Sequence, residues 1–212
     1  MCLIRVFNFN TIAVTITGFF IFTMISAGLA RAAPENTETG TERPDYLYTM
    51  DSQEEVADYD NDGTGARFEL SENVHRIGGN SVRVIPSGSA DETKLALPLE
   101  GNRLQQWLGR EGAAIHVYLP ETNQLNPDHF FLGMSDETGG DWSWVEGTFW
   151  EEEELSTGWN KIRFSLPDEM QEISGEGKYT IFFFFITYMP PREDDIPLPL
   201  YEPFYIDGIH ML

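Results

Sequence analysis

The sequence predicts an antiparallel all-β sandwich. Short apolar-alternating runs are separated by Gly, Pro, Asn and Asp clusters, no internal repeat is present, and no long stretch has helical period. The folded domain is expected over residues 46–212, after two segments of different character. Residues 1–32 hold Arg5 and Arg31 but no acid, with an apolar run from Ile12 to Ala30 and a small-x-small triplet, Ala30-Arg31-Ala32. That pattern predicts an export signal, with an uncleaved N-terminal anchor as the alternative, because the run nears the ~18–20 residues that span a bilayer. Residues 33–45 carry almost nothing apolar and are expected to form a disordered linker, since they cannot repay the entropy of ordering.

Strands are expected at 46–50, 66–70, 81–85, 94–99, 113–119, 129–134, 141–150, 160–166, 179–189 and 204–212, with helical turns around 52–57 and 103–108. Where alternation is clear it assigns faces, because successive side chains of a strand point to opposite sides. Ile115, Val117 and Leu119 oppose His116 and Tyr118. Phe130, Leu132 and Met134 oppose His129 and Phe131, and Ile162, Phe164 and Leu166 oppose Lys161, Arg163 and Ser165. The run IFFFFI within 179–189 is apolar on both faces, which suits a central strand with neighbours on either hand and would be an aggregation hazard at an edge.

Composition narrows the partners. The chain has 13 Lys+Arg against 35 Asp+Glu, and without residues 1–32 it keeps 11 basic residues, for a formal charge of −24. Only Lys94, Lys161 and Lys178 are lysines. Nucleic acid, which is held by clustered Lys and Arg, is therefore not an expected partner. Cys2 is the only cysteine and lies inside the predicted signal, so disulfides, a thiolate metal site and a cysteine nucleophile are excluded from the domain.

Two segments carry chemistry. In 141–150, DWSWVEGTFW, an unbroken strand puts Trp142, Trp144, Glu146, Thr148 and Trp150 on one face and Val145 and Phe149 on the other, unless Gly147 makes a bulge and shifts the phase. Flat rings with acceptors between them suit sugars, which present apolar C–H faces and hydroxyl rims. His116, Tyr118, His129 and Arg163 are expected to extend that face from neighbouring strands, with Glu146 and Arg163 hydrogen-bonding hydroxyls or an acidic substituent. Burial of these tryptophans in the core or under a loop is the alternative. The second segment, Asp58-Tyr-Asp60-Asn-Asp62-Gly63 running on to Glu69, fits a D-x-D-x-D-G-x5-E calcium loop, so Asp58, Asp60, Asp62 and Glu69 are candidate ligands. A solvated Asp/Gly turn is the other reading. Catalytic signatures are sparse. His75, His116, His129 and His210 lack zinc-protease spacing and no nucleophile elbow is present. Glu146 is the best-placed carboxylate for glycoside chemistry, but no partner can be named.

The order of features resembles the β-sandwich carbohydrate-binding modules with a galactose-binding-like jelly roll. The likeness rests on residues 70–84 (LSENVHRIGGNSVRV), 115–120 (IHVYLP), 158–166 (GWNKIRFSL) and 204–212 (FYIDGIHML). The resemblance implies polysaccharide binding and a structural calcium; together with the expected export signal and the sparse catalytic signatures, it makes a secreted, periplasmic or cell-surface, non-catalytic polysaccharide-binding protein the preferred reading. Carried over residue by residue, it implies Asp207 and Asp51 as ligands, Asp51 standing where the family commonly has Glu, with carbonyls around Gly79 and Asn80. A module binding another exported protein is the alternative function, and a jelly-roll glycosidase or lyase using Glu146 is a third.

Overall fold

The computed structural model describes residues 46–87, 92–120, 130–150, 155–186 and 202–212, so residues 1–45, where the export signal and the linker are expected, and His129 lie outside the described residues. Its strands are β1 (Tyr46–Tyr48), β2 (Arg67–Ser71), β3 (Ser81–Ile85), β4 (Glu92–Leu99), β5 (Gly112–Leu119), β6 (Phe130–Asp136), β7 (Ser143–Phe149), β8 (Gly158–Ser165), β9 (Tyr179–Ile186) and β10 (Phe204–Met211). Among the described residues three short helices join them: α1 (Gln53–Ala57), α2 (Gly101–Trp107) and α3 (Asp168–Gln171). A local device starts α1. The Ser52 hydroxyl accepts the Glu55 N–H while the Glu55 carboxylate reaches back to the N–H groups of Thr49 and Met50, close to a capping box.

Among the described residues all strand pairings are antiparallel and form two sheets. One has six strands in the order β2-β3-β10-β5-β8, with β1 also pairing with β10; the other runs β4-β9-β6-β7. The fold is thus the expected sandwich, and β9 is central in its sheet as its two apolar faces require. Alternation builds the core. Val82, Val84, Ile115, Val117, Ile162, Phe164 and Ile206 from one sheet meet Leu95, Leu97, Leu132, Met134, Ile181, Phe183 and Phe185 from the other, all buried. Phe164 against Phe183 (5.8 Å) and Phe185 against Phe204 (5.1 Å) join the layers. Trp107 of α2 is buried, and its indole N–H donates to the Met170 carbonyl at 2.7 Å, tying α2 to α3.

The two sheets sort the predicted site residues. Strands β5 and β8 pair with each other in the six-stranded sheet, whereas β7 is an edge of the four-stranded sheet. His116, Tyr118 and Arg163 therefore do not extend the tryptophan face. Alternation had placed them correctly on the outer side of their own strands, but that side belongs to the opposite layer.

Candidate functional site

The outer face of the four-stranded sheet is paved with aromatic rings, and the register explains how. Lys94, Phe184, Phe131 and Phe149 are successive partners across β4, β9, β6 and β7. The next outward row is Ala96, Phe182, Gly133 and Gly147, and the one beyond ends on Ser135 and Trp144. At about 4.8 Å per strand, each row spans roughly 14 Å.

A bulge in β7 sets which residues join this face. The register slips between Met134 and Ser135, leaving Val145 as the extra residue between Trp144 and Glu146. The phase shift foreseen at Gly147 thus falls two residues earlier. Phe149 moves onto the face of Trp144, and Trp150 turns into the core, where it is 6 % exposed and packs edge-on to Phe130 at 5.4 Å. Glu146 pairs with Met134, a core residue, and leaves the tryptophan face; its carboxylate accepts the Gly147 N–H at the sheet edge.

Two glycines let the rings lie down. A Cβ at Gly133 would stand 2.2 Å from Trp144 Cη2, and one at Gly147 would stand 2.1 Å from Phe131 Cζ. With no side chain there, the Trp144 ring lies over Gly133, nearly parallel to Phe131 (6.0 Å, 12°) and to Phe182 (6.3 Å, 29°). Phe131 also touches Phe149 (4.8 Å) and Phe184 (5.3 Å), and Trp142 adjoins Trp144 at 6.3 Å. Trp142, Phe149 and Trp144 are 60 %, 59 % and 43 % exposed, far beyond what a core role requires. One margin is polar. Lys94 Nζ lies 5.1 Å from the Phe184 ring centroid and bonds Asp62 and Glu92, each at 3.1 Å. Burial works to lower the Lys94 pKa, and the two carboxylates outweigh it, leaving it above its ordinary value. This cation is thereby neutralised.

Phe131, Phe149, Phe182, Phe184 and the two glycines were not singled out from the sequence as site residues. Alternation did place Phe131 opposite the core, and the doubly apolar β9 was a further signal.

The acidic segment 58–69 does not close into a loop around one point. Asp58 pairs with Arg103 (3.1 Å), Asp62 with Lys94, and Glu69 with Arg83 across the β2–β3 pair (3.3 Å). The Asp60 carboxylate accepts the Asp62 N–H, and the Asp60 backbone bridges to Ala96, which pins the turn on the edge of β4. The spacing fits a calcium loop, but β2 begins at Arg67 and carries Glu69 into a cross-strand ion pair.

Asp51 and Asp207, by contrast, grip one loop from two sides. Asp51 Oδ1 accepts the N–H groups of Gly79 and Asn80, and the Asn80 side-chain amide donates to the Asp51 carbonyl. Asp207 Oδ2 accepts the N–H groups of Arg76 and Ile77 at 2.7 and 2.8 Å. Gly78 is required here: its φ is +63°, and a Cβ would fall 1.8 Å from the Asp51 carboxylate. Asp207 Oδ1 and Asn80 Oδ1 are buried and have no hydrogen-bond partner among the described residues. Burial pushes the Asp207 carboxyl up to about 7; the Asp51 charge adds to this, and the two N–H groups partly oppose it.

On the same outer side of the six-stranded sheet, His116 is buried and stacks on His210 (5.5 Å, 24°). Burial, reinforced by the Arg76 charge, lowers the His116 pKa to about 3, so it is a neutral packing residue. Tyr118 and Arg163 lie on this side as well, Tyr118 half-buried and Arg163 exposed.

No protein-family model and no curated protein matches the chain. Solved structures do match. One described as a carbohydrate-binding module of the β-sandwich superfamily with promiscuous specificity aligns with a TM-score of 0.51 at 14% identity, over 81% of this chain and 62% of that one. This chain thus spans about 62% of that structure's length. A C-terminal family 22 carbohydrate-binding module from Clostridium thermocellum gives a TM-score of 0.44 at 12% identity, over 80% of this chain and 95% of that one. A mannan-recognising module gives 0.40 at 18% identity, over 77% and 92%. The chain has the β-sandwich fold found in carbohydrate-binding modules.

Proposed function

We propose that this protein is an exported, non-catalytic polysaccharide-binding protein that holds a neutral glycan chain on the outer face of its four-stranded sheet. The observation that carries the reading is the sheet of rings formed by Trp142, Trp144, Phe131 and Phe149 above Gly133 and Gly147. Sugar C–H faces stack on such rings. The neutralised Lys94 and the strong acidity of the chain favour an uncharged ligand at this face over an anionic one. The fold shared with carbohydrate-binding modules agrees with this function without supplying it. The apolar N-terminal run in residues 1–32 is the basis for export.

Structural calcium belongs, on this reading, between Asp51 and Asp207. Asp207 Oδ1 and Asn80 Oδ1 are buried acceptors in want of a donor or cation, and calcium takes oxygen ligands of this kind. These two groups and Asp51 would hold it, and the ion would supply charge compensation that fixes the 76–80 loop against β10. In the 58–69 segment Asp58, Asp62 and Glu69 are already engaged in ion pairs, so this reading prefers the Asp51–Asp207 pair.

Affinity electrophoresis tests the function. The full chain is run through native gels cast with neutral polysaccharides, beside a variant carrying Trp142→Ala and Trp144→Ala. Retardation of the wild type that the variant loses supports the assignment. Unchanged retardation of a folded variant removes the site. Failure on every glycan, with recovery of a defined protein partner, favours the protein-binding alternative.

A further inference from the structure

The six-stranded sheet presents a second surface whose composition differs from the first. Its register lines up Glu69, Arg83, Tyr205, Tyr118 and Trp159 as successive partners across β2, β3, β10, β5 and β8. At about 4.8 Å per strand this row is roughly 19 Å long. All five point outward, because Val82, Val84, Val117, Phe204 and Ile206 beside them fill the core. The Tyr118 ring stands edge-on between Trp159 (5.4 Å, 67°) and Tyr205 (5.9 Å, 78°), and all three rings are half-buried. The 76–80 loop borders the row on one side. Asp207 holds it, and Ile77 lies over Gly208, where a Cβ would come within 2.5 Å of Ile77 Cδ1.

Charge sets this surface apart. Arg67, Arg83, Lys161 and Arg163 all occupy outward positions of the sheet, and Arg76 lies on the bordering loop, close enough for its charge to act on His116. The chain has only 13 Lys+Arg in all, against 35 Asp+Glu, so five cations on one face is a concentration against the general trend. Among the described outward strand positions and the partners of the bordering loop, the carboxylates are Glu69, paired with Arg83, Asp207, buried against the loop, and Asp51, which holds the loop at Gly79 and Asn80. Arg163 is exposed, with no ion-pair partner among the described residues.

We infer that this face is a second glycan-binding surface, taking a carboxylate-bearing polysaccharide of the uronic-acid type. Rings spaced along a row accept the apolar faces of successive sugars, and guanidinium groups at its margins match carboxylates in bidentate geometry. A positive face on a strongly negative protein also steers an anionic chain to this side and away from the other. The two surfaces share no residue, so the inference stands whether or not the four-stranded sheet binds a neutral glycan.

The test uses the full chain in native gels containing polygalacturonate, dextran sulfate or a neutral glycan, at low and at 0.3 M salt. Two variants are compared with the wild type: Arg76→Ala with Arg83→Ala, and Trp159→Ala. Circular dichroism and melting curves confirm that each is folded. The inference expects polygalacturonate to retard the wild type at low salt, and each variant to weaken that retardation at least tenfold while leaving any neutral-glycan retardation unchanged. Trp142→Ala with Trp144→Ala should leave polygalacturonate retardation intact. Three results would overturn it: no retardation of the wild type by polygalacturonate; equal retardation of the wild type and both folded variants; or equal or stronger retardation by dextran sulfate that Trp159→Ala does not change, which would mark a generic polyanion patch. Self-association of the wild type that is abolished by Arg76→Ala with Arg83→Ala would also overturn it, because the occupant would then be the acidic surface of a second copy.

Discussion

Replacing Gly133 by alanine separates binding from folding at the aromatic face. The added Cβ would stand 2.2 Å from Trp144 Cη2 and 2.9 Å from Phe131 Cε1, where ordinary contact begins at 3.4 Å. The tip of the Trp144 ring must therefore move by about 1.2 Å or more, and it is free to do so because the side chain is 43 % exposed on an edge strand. Gly133 does not have positive φ, so alanine adds no backbone strain and gains about 0.5–1 kcal/mol by narrowing the unfolded ensemble. Loss of the parallel Trp144–Phe131 contact costs a similar ~0.5–1.5 kcal/mol. Net stability should stay within about 1 kcal/mol, a melting shift of a few degrees for a domain of this size. Binding should respond more strongly, since tilting one anchoring ring is expected to cost about 1.4 kcal/mol, or tenfold in affinity. Calorimetric titration with the glycan that retards the wild type, paired with thermal melting, reads both quantities. An affinity within twofold of wild type in a folded Gly133→Ala protein would refute the claim that flat rings make the site.

Other consequences follow from the same packing. Phe164→Ala, at the contact between the sheets, should destabilise by about 3–5 kcal/mol in denaturant titration with the fold otherwise retained. His116 is held neutral down to about 3 in the fold, against 6.5 when unfolded, so its stabilising contribution is full above 6.5 and is lost as pH falls toward 3. Asp207 runs the other way: with its pKa raised to about 7, its contribution is present below 3.8 and is lost as pH rises through 7. Melts of the calcium-free protein should thus vary little between pH 4 and 6.5, and Asp207→Asn should make stability rise with pH there by up to about 1.4 kcal/mol per unit. Calcium should raise the wild-type melting temperature at pH 8, and Asp207→Asn should remove that response; a calcium-insensitive wild type would count against the site.

What the sequence could say depended on whether a feature is local. Alternation in Ile115–Val117–Leu119 and in Ile162–Phe164 fixed those strand faces because period two survives wherever no residue is inserted. The doubly apolar β9 announced its central place, since no edge position would cover both faces. The phase of β7 was not legible beyond Trp144. One extra residue at Val145 exchanges Trp150 for Phe149 and removes Glu146, and nothing in WSWVEGTFW marks that position as the bulge. Sheet membership was not legible either. Strand β5 pairs with β8 and β10, both distant in sequence, so the outward side of His116, Tyr118 and Arg163 could be read but not the layer it faces. The partners of the 58–69 carboxylates were not legible for a related reason: Asp58, Asp62 and Glu69 pair with cations of α2, β4 and β3 that lie far away in sequence or across a strand pair.

The most direct test of the account is the mobility of the full chain in native gels containing neutral polysaccharides, with and without Trp142→Ala and Trp144→Ala. Trp142 is 60 % and Trp144 43 % exposed, so their removal should lower the melting temperature by only a few degrees and leave the fold intact. The account predicts that at least one neutral glycan retards the wild type and that the folded double variant migrates as it does without glycan. Equal retardation of the two proteins, or no retardation of the folded wild type by any neutral glycan, would contradict it.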